Sequence, residues 1–193
     1  MNPFFSWSLK ASGPVSTAFR AKGIDDLGHA LRWVHSLPYG RNSNRENYML
    51  IFSELRGTCS TKHAALAALA LENGFPIKLQ MTICKLDTKL DPKVLPLLDR
   101  LGVSFFPEAH CYLEYEDQQI DITFPDQAPT LKVETLEVHT IRPEDIGDHK
   151  LPIHQEYLKK WLHAKNLDQR FSFEEVWQLR EEWIHSLNQP HPL

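Results

Sequence analysis

The chain has 193 residues, 42% of them hydrophobic, 24% charged and 10% aromatic, with a formal net charge of −4. This size and composition suit one globular body that buries roughly 70% of its unfolded surface. The absence of a basic tract argues against a nucleic-acid partner. No apolar run approaches the ~20 residues needed to cross a bilayer. Lys10, Ser12 and Gly13 interrupt the segment that begins with Phe4, Phe5 and Trp7 before a signal-like stretch can form. A cytoplasmic protein with no membrane association is expected.

In chain order, Asp25 and Asp26 open a helix carrying Leu27, Ala30, Leu31 and Val34 on one face, and Pro38 and Gly40 end it. A second helix is expected from near Asn44, through Tyr48, Ile51, Phe52 and Leu55, closing at Gly57. A third runs from about Cys59 to Glu72 with Thr58 as N-cap. Its centre, Ala64 to Leu71, is apolar on every side, so this helix must be buried all round. Asn73-Gly74 ends it.

Ile77, Leu79, Met81 and Ile83 then alternate with polar residues and Cys84 as a strand. A short helix lies around Val94 to Leu101. Strands follow over about Ala109–Glu116 and Gln119–Phe124, with Asp117-Gln118 or neighbouring residues as their turn, and a further strand over Leu131 to Thr140. Two helices close the chain. One spans His154 to Lys165, and the other begins at Ser172 with Glu175 completing a capping box. The expectation is a single α+β domain over 1–193, with a core over about 25–140 and a helical tail over about 152–188.

Three residues carry chemistry in this pattern. Cys59 begins an apolar helix, where first-turn N–H groups and the positive helix end favour thiolate. His110 and Asp121 follow on the two strands, and a thiol, an imidazole and a carboxylate in this order suggest a nucleophile, its base and the base's orienter. Cys59, Cys84 and Cys111 are odd in number and lack CxxC spacing, which argues against a disulfide framework or a zinc site. Cys84 and Cys111 read as buried strand residues.

Other readings stay open. His63 lies one turn after Cys59 and is either an alternative base or, more simply, a packing residue. Glu114 is either a site residue or a cross-strand partner for a cation. Arg41, Asn42, Arg45 and Arg56 either bind a substrate carboxylate or form a solvated loop. Trp161, Trp177 and Trp183 either pack the tail onto the domain or offer a surface to a protein partner.

Three pieces of sequence resemble the transglutaminase-like branch of the papain-fold thiol enzymes. They are Gly57-x-Cys59 with its Ala/Leu helix, Asn73-Gly74-Phe75-Pro76-Ile77-Lys78, and the pair His110-Cys111-Tyr112-Leu113-Glu114 and Asp121-Ile122-Thr123. They cover about Gly57 to Phe124. The resemblance implies a nucleophile helix packed on an antiparallel sheet, with Cys59 as nucleophile, His110 as base and Asp121 as orienter. It further implies that the Cys59 N–H is one oxyanion donor. The implied activity is cysteine-dependent amide hydrolysis or acyl transfer through a thioester on a peptide or small amide, with no cofactor, and with peptidase or amidase chemistry favoured over transglutamination.

Arg41, Asn42 and Tyr112 are the expected substrate-binding residues. Tyr112 stands where many relatives have Trp. No Gln precedes Cys59 at papain-like distance, which leaves Tyr39, Asn42, Asn44 and Tyr48 as candidates for the second oxyanion donor. With an Asp117-Gln118 turn, Glu114 would face Asp121 and Pro125 would face His110; a turn shifted towards Tyr115-Glu116, or a bulge in the strand, would bring Asp121 opposite His110, and Asp126 is the rival orienter. The competing functions are a non-catalytic binding module on the same fold and an acyl-CoA-dependent N-acyltransferase. The second is partly echoed by Arg56-Gly57-Thr58-Cys59, but its C-terminal β-domain is not evident.

Overall fold

The computed structural model describes residues 7–127, 129 and 133–187. Among these the chain is α+β, with seven α-helices and a four-stranded antiparallel sheet of order β3-β2-β1-β4. The strands are β1 (Lys78–Leu86), β2 (Phe106–Tyr115), β3 (Gln118–Ile120) and β4 (Thr135–Ile141). The chain divides into two compact units. One comprises Met1–Met81, Cys111–Lys132 and His139–Asp148, and the other Thr82–His110, Val133–Val138 and His149–Leu193. The divisions fall within β1, β2 and β4.

The first unit is organised by α4 (Cys59–Asn73), whose residues Ser60 to Ala70 are all buried, whereas Leu71, the last of the apolar run expected to be buried, is 70% exposed. Packed against it are α1 (Pro14–Arg20), α2 (Leu27–Ser36), a 3₁₀ turn at Tyr48–Leu50 and another at Pro143–Ile146. α1 is absent from the sequence reading. Its N-terminus is held by Glu72, whose carboxylate accepts the N–H groups of Val15 and Ser16 at 2.9 and 2.7 Å. A carboxylate there satisfies orphan donors and complements the helix dipole.

Asp26 caps α2 by accepting the His29 N–H at 2.8 Å. The helix expected from Asn44 shrinks to the 3₁₀ turn and the four-residue α3 (Ile51–Glu54). Asn44 and Asn47 accept the N–H groups of Glu46 and Met49 on their own side chains, and Leu55 turns left-handed at φ 52°. Gly74, at φ 69°, closes α4.

The second unit buries Leu86, Leu98, Leu101, Phe106, Leu158, Trp161 and Val176 in one core. It contains α5 (Leu95–Leu101), α6 (Lys150–Ala164) and α7 (Phe173–Ser186). Trp177 and Trp183 pack against this core, so all three tail tryptophans serve their own unit. Ser172 and Glu175 form the expected reciprocal cap of α7. α6 begins four residues before the expected His154, because Pro152 is tolerated in a first turn.

A buried charge cluster joins β2 to both tail helices. Arg180 donates two bonds to Glu108, with Nε at 2.7 Å from Oε2. His154 donates from Nε2 to the Pro107 carbonyl at 3.0 Å and lies 3.9 Å from Glu108. Burial pushes the Glu108 carboxyl up, but Arg180, His154 and Lys150 reverse this and leave its pKa lowered. Burial lowers His154 to about 4, against the pull of Glu108. The expected strand start at Leu131 and the expected tail end at Asn188 lie outside the described residues, as do Phe4 and Phe5.

Candidate functional site

Cys59 is the first residue of α4, after an extended Thr58 at φ −88° and ψ 176°. Its side chain is partly exposed, whereas Cys84 and Cys111 are buried, and none of the three forms a disulfide. The turn before it is built without slack. The Thr58 N–H donates to Thr61 Oγ1 at 3.0 Å, and Thr61 Oγ1 donates to Asn42 Oδ1 at 2.8 Å. The Asn42 amide in turn donates to the Arg56 carbonyl at 3.0 Å and to Glu54 at 3.1 Å. A Cβ on Gly57 would meet Lys62 Cγ and Thr61 Oγ1 at 2.9 Å, so only glycine fits there.

Asp121 reaches this region from the opposite direction in the chain. The hairpin turn is Glu116-Asp117, one residue before Asp117-Gln118, with both residues at positive φ (47° and 60°) as a type I′ turn requires. The ladder pairs Leu113 with Ile120 and Tyr115 with Gln118. β3 ends at Ile120, well short of the expected Phe124. Continuing that register would set Asp121 across from Tyr112, opposite neither Glu114 nor His110, because the turn does not shift as far as Tyr115-Glu116. Beyond the ladder Asp121 is buried, its N–H donating to the Pro129 carbonyl at 2.8 Å. Its Oδ1 accepts the Thr123 N–H at 3.0 Å and the Thr123 hydroxyl at 2.7 Å. Asp126, the rival orienter, is exposed.

Two neighbours of Cys59 on α4 meet this segment. His63 is fully buried. Its Nδ1 bonds the Cys59 carbonyl at 2.7 Å, and its Nε2 accepts the Ile122 N–H at 3.0 Å. Accepting at Nε2 requires a lone pair there, so the ring is the Nδ1–H tautomer. The nearby Asp121 Oδ1, 3.7 Å from Nε2, therefore faces an unprotonated nitrogen. With Nδ1 on the Cys59 carbonyl and Nε2 on the Ile122 N–H, the geometry fits the packing and hydrogen-bonding reading of His63.

Lys62 is also fully buried. Its Nζ donates to the Leu37 carbonyl at 2.6 Å and the Thr123 carbonyl at 2.8 Å. Burial lowers its pKa from 10.5 to about 8, while Asp121 and Cys59 pull it back up. That displacement corresponds to roughly 3 kcal/mol against the charged form. The role of Lys62 is missing from the sequence reading. The available signal was a lysine in the first turn of a helix otherwise read as buried on every side.

His110 lies half-buried on β2, in the second unit, whereas Cys59 and Asp121 belong to the first. Within the first unit, the residues that follow Cys59 and His110 in the chain are neighbours, with Ser60 Oγ 3.7 Å from Cys111 Sγ. Tyr112 is buried on β2, and Arg41 is exposed. Residues 41–46 line an open depression of about 550 Å³ with two arginines on its wall. The Asn42 amide, by contrast, is committed to the turn before Cys59. Glu114 lies 3.5 Å from Lys78 Nζ, the cross-strand cation that was one of its two expected roles.

Among the described residues no three His, Cys, Asp or Glu side chains are grouped to hold a metal ion. Nor, among them, is any helix long and apolar enough to cross a membrane. No family model, no curated protein and no solved structure matches the chain.

Proposed function

We propose that this chain is a cysteine-dependent amide hydrolase or acyltransferase of the transglutaminase-like, papain-fold type. In this reading Cys59 is the nucleophile, His110 the base and Asp121 the orienter. The observation that carries it is the start of α4. There a partly exposed thiol occupies the first position of a 15-residue helix, held by a hydrogen-bonded turn, while the other two cysteines are buried. First-turn N–H groups and the helix dipole favour thiolate at such a position. The direct tie between the Cys59 carbonyl, His63 and Ile122 supports including the adjacent Asp121 in the same site. The bond that His63 Nε2 accepts from the Ile122 N–H favours His110 over His63 as the base.

The reaction proceeds in two halves. His110 takes the Cys59 proton, and the thiolate adds to the amide carbonyl while the Cys59 N–H and a second donor hold the oxyanion. The C–N bond breaks as the His110 imidazolium protonates the leaving amine, which gives a thioester. Water, deprotonated by His110, then adds to the thioester, and cleavage of the C–S bond releases the carboxylic acid and regenerates the thiol. An amine in place of water yields a new amide. Hydrolysis of a peptide or small amide in the cytoplasm is the favoured outcome, and Asp121 keeps the imidazole oriented and its cation stabilised. Arg41 and the depression beside it would take a substrate carboxylate, and Tyr112 would wall the cleft.

The test is alkylation of Cys59 resolved by site and followed against pH, in the wild type and in His110→Ala, beside turnover of peptide amides by wild type and Cys59→Ala. The expected result is wild-type reaction well below the ~8.5 of a free thiol, loss of that acid limb without His110, and no turnover without Cys59. A Cys59 that titrates as a free thiol in both proteins overturns the proposal.

A further inference from the structure

We propose that Lys62 and His63 are positioning residues that clamp the Asp121–Thr123 segment to the first turn of the nucleophile helix and so hold Asp121 in register with Cys59. This rests on the proposed role of Cys59. The segment leaves the sheet ladder at Ile120, so its backbone groups must find partners elsewhere. Two adjacent side chains of α4 supply them. Lys62 donates to the Thr123 carbonyl, and His63 accepts the Ile122 N–H. Each side chain also has a second anchor. Lys62 bonds the carbonyl of Leu37 at the end of α2, and His63 bonds the carbonyl of Cys59 itself. Asp121 is locked within the segment by Thr123, so fixing Ile122 and Thr123 fixes the carboxylate.

The choice of residue types supports this purpose. Both side chains are buried without any exposed surface, although a lysine is rarely buried in this way. An ammonium reaches two separate elements with three donors, which no apolar side chain can do. Asp121 from the segment after β3, and Cys59 and His63 from α4, are the titratable groups around it. From α2, His35 braces the same segment further along, with Nε2 2.9 Å from the Phe124 carbonyl. Tyr39 stacks on Phe124 with ring centroids 5.1 Å apart. The segment is thus gripped over its length, and Lys62 and His63 tie it to the helix that carries the thiol.

The experiment compares the pH profile of Cys59 alkylation by iodoacetamide in the wild type, Lys62→Met, Lys62→Arg, His63→Asn, His63→Gln, Asp121→Asn and His110→Ala, each checked for folding by circular dichroism and thermal unfolding. Asn at 63 can keep the bond to the Cys59 carbonyl but lose Ile122, whereas Gln can keep an acceptor for Ile122. Lys62→Met and His63→Asn are expected to slow alkylation at pH 6 by ~tenfold or more and to move the profile toward that of Asp121→Asn. Lys62→Arg and His63→Gln should restore part of the loss. Adding Asp121→Asn to either clamp variant should cost little more.

Folded variants that lose thermal stability but keep the wild-type profile overturn the clamp while leaving the nucleophile intact. A wild-type Cys59 without a histidine-dependent acid limb overturns the underlying reading and the clamp with it. Should Lys62→Met fail to fold, His63→Asn, one neutral polar side chain for another, decides alone.

Discussion

Acid sensitivity of the second unit should be traceable to one side chain, His154. Its ring is 2% exposed, and burial lowers its pKa from 6.5 to about 4. It therefore stays neutral in the folded protein at pH 5, donating from Nε2 to the Pro107 carbonyl, while the unfolded chain has already taken up a proton. Because the unfolded state binds more protons between pH 6.5 and 4, stability rises with pH across that window and is lost as pH falls. The full displacement is worth about 3 kcal/mol, of which about 2 kcal/mol is lost on going from pH 7 to pH 5.

His154→Gln places an amide nitrogen near the Nε2 position, so the donor to Pro107 survives in a group that cannot titrate. Urea unfolding followed by the fluorescence of Trp161, Trp177 and Trp183 at stepped pH would give the free energy of each protein. The wild type should lose about 2 kcal/mol more than His154→Gln between pH 7 and 5. Contributions from groups that do not interact with His154 cancel in the difference. Parallel lines for the two proteins would refute the reasoning, because they would mean that the folded imidazole accepts its proton as easily as the unfolded one.

In the same unit, Glu108→Ala removes the carboxylate from a buried Arg180 that also sits over the Trp177 ring at 4.7 Å. The expected cost is about 1–3 kcal/mol in urea unfolding, since Arg180 loses its two bonds to Glu108 while keeping Glu181 at 2.7 Å from Nη1. A loss below about 1 kcal/mol would show that Arg180 finds water. In the first unit, Gly57→Ala forces a methyl within 2.9 Å of Lys62 Cγ and Thr61 Oγ1. It should destabilise by roughly 1–3 kcal/mol and slow Cys59 alkylation at pH 6. An unchanged melting temperature and alkylation rate would mean that the turn before Cys59 has room to relax.

Much of the fold was legible because local chemistry and tertiary demand agree. Asp26 caps α2, Ser172 with Glu175 caps α7, and Gly74 ends α4, each through bonds a few residues apart. Seven of the eight apolar residues from Ala64 to Leu71 are buried in the expected helix, and Leu71 is exposed. Where local signals compete, the reading slipped. Glu116-Asp117 forms the hairpin turn with neither glycine nor asparagine to mark it, so the sequence left its position open between Asp117-Gln118 and the neighbouring residues. The expected helix from Asn44 reads well by period, but Asn44 and Asn47 spend their side chains on nearby N–H groups and hold the chain in turns. α1 was missed because its N-terminal partner, Glu72, lies more than fifty residues away. The division into two units was equally hidden, since its boundaries run through the middle of strands.

By itself, the sequence determined the α+β class, the buried helix that begins at Cys59 and the order of thiol, imidazole and carboxylate along the chain. Those follow from periodicity, caps and residue type, which act over a turn or two of backbone. Only tertiary structure decided what Lys62 and His63 bond to. Sequence assigns Lys62 no role and leaves His63 between base and packing residue until the segment after β3, nearly sixty residues on, delivers the Ile122 N–H and the Thr123 carbonyl to them. Hydrogen bonds between groups that distant depend on how elements pack, and packing is a property of the whole fold rather than of any window of sequence.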